Sequence, residues 1–168
     1  GWIVGNFPLS VEDLQSKYDF AYYSTMVKAV TDVNNGTIAN ADAQKANAVA
    51  GVYTDENGGK NVVLLKDHTE SARIAPSVDM TINLGGHTLS SVAAVCIRVA
   101  GGIVTIDGRL SGSQIVANQE SVGAICIQVN SASTSKRVSI QGGTYISNCP
   151  GGQVEGIVNR GPSCEMYI

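Results

Sequence analysis

Carboxylates in the second half of the chain are the first residues to test for chemistry, because glycosidic bonds are hydrolysed by carboxyl pairs about 5 to 10 Å apart. No two of the five stand two positions apart: Asp79, Asp107, Glu120, Glu155 and Glu165. Asp107 is followed by a glycine, and an Asp in that place commonly bonds the backbone of a turn. The spacing therefore predicts no catalytic residue.

The histidines and cysteines lack the spacing of a metal site. The cysteines at positions 96, 126, 149 and 164 form no CxxC pattern, and His68 and His87 stand apart from them. We therefore predict no metal and no cofactor. Cys96 and Cys126 occupy equivalent places of a repeat, and stacked parallel strands would point both Cβ atoms the same way, which favours free thiols over a disulfide.

Two arginines are the candidates for contacts with an acidic ligand. Arg98 and Arg160 are predicted to share a column with Gln128, two repeats and roughly 10 Å apart. Their guanidinium groups would bind an acidic glycan or another subunit. The alternative is that they only keep a sheet face soluble.

Composition narrows the class of protein. The net charge of -3 leaves no basic patch, so we predict no nucleic-acid partner. No apolar run reaches the roughly 18 residues of a membrane span. Only 15% of the 168 residues are charged and 19 are glycine, which favours β-strands joined by tight turns.

Two short phrases repeat along the chain. The first occupies residues 92–99, 122–129 and, more loosely, 154–161. The second occupies residues 80–86, 104–108 and 138–143. Repeats of this length, rich in β-branched residues and separated by Gly, Asn and Ser, are typical of stacked units that share one continuous core.

Strand alternation predicts which side chains of the first phrase face the core. Val95 and Ile97 point the same way in an extended strand, and we expect them inside. The opposite face, with Cys96, Cys126 and Val158 beside small residues, is expected outside together with Arg98. Apart from the arginine, that outward face is small and uncharged, so we expect something to cover it. The cover is either the N-terminal helix or a neighbouring subunit, and both alternatives stay open.

The N-terminal part is predicted to hold one amphipathic helix, at residues 10–33. Ser10 and Asp13 have the spacing of a capping box, and the glycine of Asn34-Asn35-Gly36 suits the end of a helix. Tyr18 and Tyr22 fall on its apolar stripe, which is a core face or a docking face.

A β-hairpin is predicted next, from residues 49–54 and 61–66. Asn57 and Gly58 in the turn would supply the positive φ angles that tight hairpins need. Residues 67–76 are expected to form a connection, and the repeats begin near Val78. At the other end of the helix, the apolar lead with Trp2 and Phe7 would pack on a partner or on the chain's own helix.

On its repeated phrases the sequence resembles the pectin-lyase-like right-handed parallel β-helix. Residues 81–89 and 104–108 look like turns of that superfamily, and the resemblance covers roughly residues 61 to 168. The order of helix, hairpin and repeats is similar to the start of phage tailspike and appendage proteins, with bacterial surface adhesins as a related type. The resemblance implies a mainly β, single-stranded solenoid. Residues 1–60 would be a helix-and-hairpin cap or attachment region, and residues 61–168 the start of a β-helix that is incomplete at its C-terminus.

The resemblance also implies a function. A structural N-terminal part of a tailspike-like protein would cap and assemble a shaft that recognises a host-surface glycan. Such a part would be homotrimeric, on a virion tail or appendage, or otherwise extracellular or on a cell surface. The candidate subunit contacts are Trp2, Phe7, Tyr18, Tyr22, Cys96, Cys126 and Val158. The alternative is the N-terminal part of a polysaccharide lyase or glycoside hydrolase with catalytic turns beyond residue 168, so whether the longer chain is an enzyme stays open.

Overall fold

The computed structural model describes residues 7–168, and that part of the chain is mainly β. It contains two α-helices, α1 (Val11–Lys17) and α2 (Met26–Asn35). The strands are β1 (Ala21–Tyr23), β2 (Ala50–Thr54), β3 (Lys60–Leu64), β4 (His68–Glu70), β5 (Met80–Asn83), β6 (Thr88–Ser91), β7 (Val95–Val99), β8 (Ile103–Gly108), β9 (Gln114–Asn118), β10 (Ala124–Val129), β11 (Arg137–Gly142), β12 (Thr144–Asn148), β13 (Val154–Asn159) and β14 (Glu165–Tyr167).

The strands form three sheets that the chain visits in turn. The first sheet has the order β1-β2-β3-β5-β8-β11-β14, the second β12-β9-β6-β4 and the third β13-β10-β7. Strands β5, β6 and β7 make one round through the three sheets, and β8 to β10 and β11 to β13 repeat it. All pairs between rounds are parallel, and so is the pair of β3 with β5, whereas β1 pairs with β2 and β2 with β3 in the antiparallel direction.

The second repeated phrase stacks as the sequence predicts. Met80 pairs with Val104 and that residue with Val138, so three apolar side chains lie above one another in the first sheet. Ile82 and Ile106 form the next column, and both are completely buried. This register is fixed because a slip of one residue would turn the apolar set outward.

The first repeated phrase stacks as predicted for its first two copies only. Ile97 pairs with Ile127, and Ile127 with Ile157, which is a constant step of 30 residues. The predicted alignment of the third copy is therefore wrong by two positions. Val158 lies beside Gln128 and not beside Cys126.

The predicted outward position of the cysteines is also wrong. Cys96 and Cys126 are completely buried in the main core, and so are their neighbours Ile97 and Ile127. Consecutive buried residues break the strict alternation, and the pairing of the third sheet skips the two cysteines. All four cysteines are free, as predicted for the Cys96 and Cys126 pair. Burial raises the pKa of both of those thiols.

The single helix predicted for residues 10–33 is wrong, because two helices flank a short strand there. Ser10 caps α1 as predicted, and its Oγ accepts the backbone N–H of Asp13 at 3.1 Å. The helix stops at Tyr18, which is extended. Aromatic residues favour strands, and β1 pairs with β2 at the edge of the first sheet. Gly36 ends α2 with a φ of 68°, as predicted.

The predicted hairpin is confirmed as β2 and β3, with Thr54 opposite Lys60. In its turn only Gly58 has a positive φ, so the same expectation for Asn57 is wrong. The Asp55 carboxylate accepts backbone N–H groups of Asn57 and Gly59, both at 2.9 Å, and thereby holds the turn closed.

The two helices cover different faces of the hairpin. The apolar side of α2 shares the main core with all three sheets, through Met26, Ala29, Val30 and Val33. In contrast, α1 packs on the other face of β3, where Val11 and Leu14 meet Val63 and Tyr53 in a small separate cluster. The division of the chain at residue 60 stays a prediction.

We expect Gly85→Ala to cost about 3 kcal/mol of the free energy of unfolding or more. Gly85 has a φ of 65°, and an added Cβ would lie 2.1 Å from the carbonyl oxygen of Leu64. Gly36→Ala is the matched control, because it has a similar φ and no atom within 4 Å of the added Cβ. Urea denaturation measures both, and equal losses would contradict the close contact.

Candidate functional site

The N-terminus of α2 is held by a buried carboxylate. Glu70 lies on β4 in the second sheet and is 3% exposed. Its Oε1 accepts the backbone N–H of Met26 and, at 3.1 Å, that of Val27. The first N–H groups of a helix have no partner within the helix, and negative charge is favourable beside them. Glu70 therefore satisfies α2 and ties it to the second sheet.

A second ionisable group stands beside Glu70. The Nε2 atom of His68 lies 3.7 Å from Glu70 Oε2, two residues earlier on the same strand. The His68 side chain is one-quarter exposed, whereas the Glu70 side chain is almost completely buried.

A second carboxylate holds the exposed side of α2. Asp42 accepts the backbone N–H of Ser24 at 2.8 Å, the Ser24 hydroxyl at 2.6 Å and the ammonium of Lys28 at 2.8 Å. These bonds lower the pKa of Asp42 to about 2, and the bond from Lys28 has the largest effect. The segment that follows α2 is thereby fastened back to the start of the helix.

The far end of α2 is attached through Asn34. Its Nδ2 donates to the carbonyl of Ala75 at 2.9 Å, and its Oδ1 accepts the backbone N–H of Ser77 at 2.8 Å. Residues 75–77 follow Ile74, which bridges to Ile97 of the third sheet, and lead on to β5. Both ends of α2 are therefore bonded to the strand region.

Two of the five carboxylates that sequence spacing excluded from catalysis are engaged with arginines. Asp107 binds Arg109 through two hydrogen bonds, both 2.9 Å long. Glu155 binds Arg160 at 2.6 Å. Among residues 7–168 no group of three or more His, Cys, Asp or Glu side chains could hold a metal ion.

Two open polar grooves lie on the surface. One, of about 560 Å³, runs between the start of α1 and the turn at His87, and it is lined by Lys45 and Lys66 as well as Glu12. The other, of about 680 Å³, lies beside the amide pair of Asn118 and Asn148, whose side chains bond at 2.9 Å. Neither groove contains a charged cluster of one sign.

The predicted subunit contacts are scattered over the structure. Phe7 is 78% exposed, whereas Tyr18 stacks on Tyr53 with ring centroids 4.5 Å apart. Tyr22 is half-buried beside Phe20, and Trp2 lies outside the described residues. Val158 is partly exposed on the third sheet, but Cys96 and Cys126 are buried and have no surface to offer.

The predicted arginine column is not formed. Arg98 pairs with Gln128 as expected, and its Nε donates to the Gln128 Oε1 at 2.6 Å. The third member of the column is Val158, because the third repeat is shifted by two positions. Arg160 follows β13 and binds Glu155 instead. Arg98 and Arg160 therefore do not form one site.

Sequence reasoning missed Glu70, since residues 67–76 are predicted as a connection and the structure places β4 there. Glu70 stands among polar and charged residues from Lys66 to Ser71, so the local sequence does not single it out. Its partners at Met26 and Val27 are more than 40 residues earlier in the chain, so no local pattern could reveal them.

No protein-family model, curated protein or solved structure matches this chain. Among the described residues, neither helix has the length and apolar character needed to span a bilayer.

We expect Glu70→Ala to lower the free energy of unfolding by about 3 kcal/mol, because it leaves the N–H groups of Met26 and Val27 buried without an acceptor. Glu70→Gln keeps an acceptor oxygen and should lose less. Glu12→Ala, at an exposed position of α1, is the control. Urea denaturation followed by circular dichroism measures the three variants, and a Glu70→Ala loss no larger than that of the control would contradict the assignment.

The Asp42 contact predicts a dependence of stability on pH. Because the folded-state pKa is lowered to about 2, the carboxylate stabilises the fold above the ordinary pKa of Asp, near 4, and this contribution is lost as the pH falls through 2. At pH 7 we expect Asp42→Asn to cost at most about 1 kcal/mol, since the ion pair is largely exposed. The difference from the natural chain should shrink between pH 4 and pH 2 and disappear below pH 2. A difference that stays constant over this range would refute the prediction.

Proposed function

We propose that this chain is a structural part of a tailspike-like or appendage-like protein, built as a right-handed parallel β-helix. The three sheets would be the three faces of the helix, and each round through them one coil. The parallel pairing of successive rounds supports this architecture. Its right hand follows from the strong general preference for right-handed crossovers between parallel strands.

The observation that carries the proposal is the position of α2. A stack of parallel strands exposes the end of its core and an unpaired edge, and both invite aggregation unless they are covered. Met26, Val30 and Val33 are buried in the same core as the strands. The antiparallel strand β2 pairs along the edge of β3, and β1 pairs in turn along the outer edge of β2. Helix and hairpin therefore act as the N-terminal cap of the coils.

In this proposal the capped region assembles a shaft that recognises a host-surface polysaccharide. It would be a homotrimer on a virion tail or appendage, or otherwise on a cell surface. Phe7, which is 78% exposed, is the first aromatic side chain that we expect at the contact between subunits. Tyr22, half-buried at the edge strand β1, offers a second contact on the same part of the chain.

Light scattering at micromolar concentration tests the assembly. We expect a mass of three chains for the natural protein and a smaller mass for the double variant Phe7→Ser, Tyr22→Ser, because the exposed aromatic surface is removed. Val122→Ser is the matched control, since Val122 is 71% exposed and is not a predicted contact. A monomeric natural chain, or an equal loss of trimer in the control, would overturn the proposed assembly.

A further inference from the structure

The outer face of the third sheet carries an arginine that is held in place without a carboxylate. Arg98 donates from Nε to Gln128 Oε1 at 2.6 Å, and Gln128 is only 5% exposed. A buried acceptor fixes the plane of the guanidinium group. Within residues 7–168 no acceptor bonds the two Nη groups of Arg98, which is itself partly exposed.

A second arginine stands near Arg98 in the strand pairing of the third sheet. Arg73 is exposed and directly precedes Ile74, which bridges to Ile97 beside Arg98. Partial burial and the positive charge of Arg73 both lower the pKa of Arg98. Because like charges repel each other, an anion that contacts both guanidinium groups would stabilise this face.

Two other arginines have the carboxylate partner that Arg73 and Arg98 lack. Arg109 is paired with Asp107 and Arg160 with Glu155. None of the ion pairs within the described part of the chain includes Arg73 or Arg98. The chain thus supplies a carboxylate to two arginines and leaves Arg73 and Arg98, like Arg137, without one among residues 7–168.

We propose that the outer face of the third sheet binds a small oxyanion, namely a carboxylate, sulfate or phosphate group, at the guanidinium groups of Arg98 and Arg73. The planar guanidinium group matches such oxyanions through two parallel hydrogen bonds. Arg98 provides the oriented donors, and Gln128 is a positioning residue that holds them. This site is independent of the proposed trimer.

The test is an NMR titration of the 168-residue chain with sodium sulfate, balanced with sodium chloride at constant ionic strength. The Nε–Hε signal of Arg98 should shift and saturate, while the signals of Arg109 and Arg160 stay in place because each is bound to its own carboxylate. Parallel shifts of all arginine signals, without saturation, would overturn the proposal.

Three variants sharpen the result. Arg73→Gln and Arg98→Gln should each weaken sulfate binding about tenfold or more, because each removes a charged donor. Arg160→Gln is the matched control and should bind as the natural chain does. If Arg98→Gln does not fold, Gln128→Glu replaces it, because a carboxylate beside Arg98 should abolish sulfate binding. Unchanged binding in Arg73→Gln or Gln128→Glu would refute the site.

The source of the oxyanion is distinguished by further probes. Acetate, glucuronate and inorganic phosphate are titrated in the same way, with glucose as the neutral control. Tighter binding of glucuronate than of acetate would assign the site to an acidic sugar, and equal binding would assign it to a free anion. Saturable binding of glucose at the Arg98 signal would contradict recognition by charge.

Discussion

A stack of parallel strands has two open ends, and the covering of its first end is the constraint on which this structure depends. Each inner strand is bonded on both sides, but the first strand of a sheet has an unpaired edge and leaves core side chains open to water. Here the edge of β3 is paired by β2, and the core beneath it is closed by α2. The Glu70 carboxylate links the strands to α2, since it lies on a strand of the stack and accepts hydrogen bonds from the first backbone N–H groups of the helix.

Burial in the columns then determines the register of everything that follows. Ile82 and Ile106 of the first sheet are completely buried. Ile97 and Ile127 of the third sheet are completely buried as well. Burying one such side chain is worth about 1.5 to 3 kcal/mol. A shift of register would therefore sacrifice several buried side chains at once. The connections between strands are free to vary in length because they do not set the register.

The sequence predicts best where the pattern is local. The hairpin and the second repeated phrase are predicted correctly because their alternating apolar residues and their turn residues are close together in the sequence. The helix over residues 10–33 fails because apolar residues at helical spacing continue through Tyr22, while the pairing of β1 with β2 is decided by residues nearly 30 positions later. Similarly, the third copy of the first phrase is misaligned because it is placed by sequence similarity. In the structure the column of Ile97 and Ile127 continues with Ile157. The site follows the same rule. Arg98 and Gln128 are predicted as neighbours, but Arg73 and Glu70 become visible only in three dimensions.

Hydrogen exchange of the natural chain, followed by mass spectrometry, tests most directly whether α2 is an integral part of the stack. The account predicts that the amides of α2 exchange as slowly as those of β3 and β5, because helix and strands share one core. The amides of α1 should exchange faster, since α1 rests on a small separate cluster. Fast exchange throughout α2, with the strands still protected, would show that the stacked strands are stable without this helix and would contradict the account.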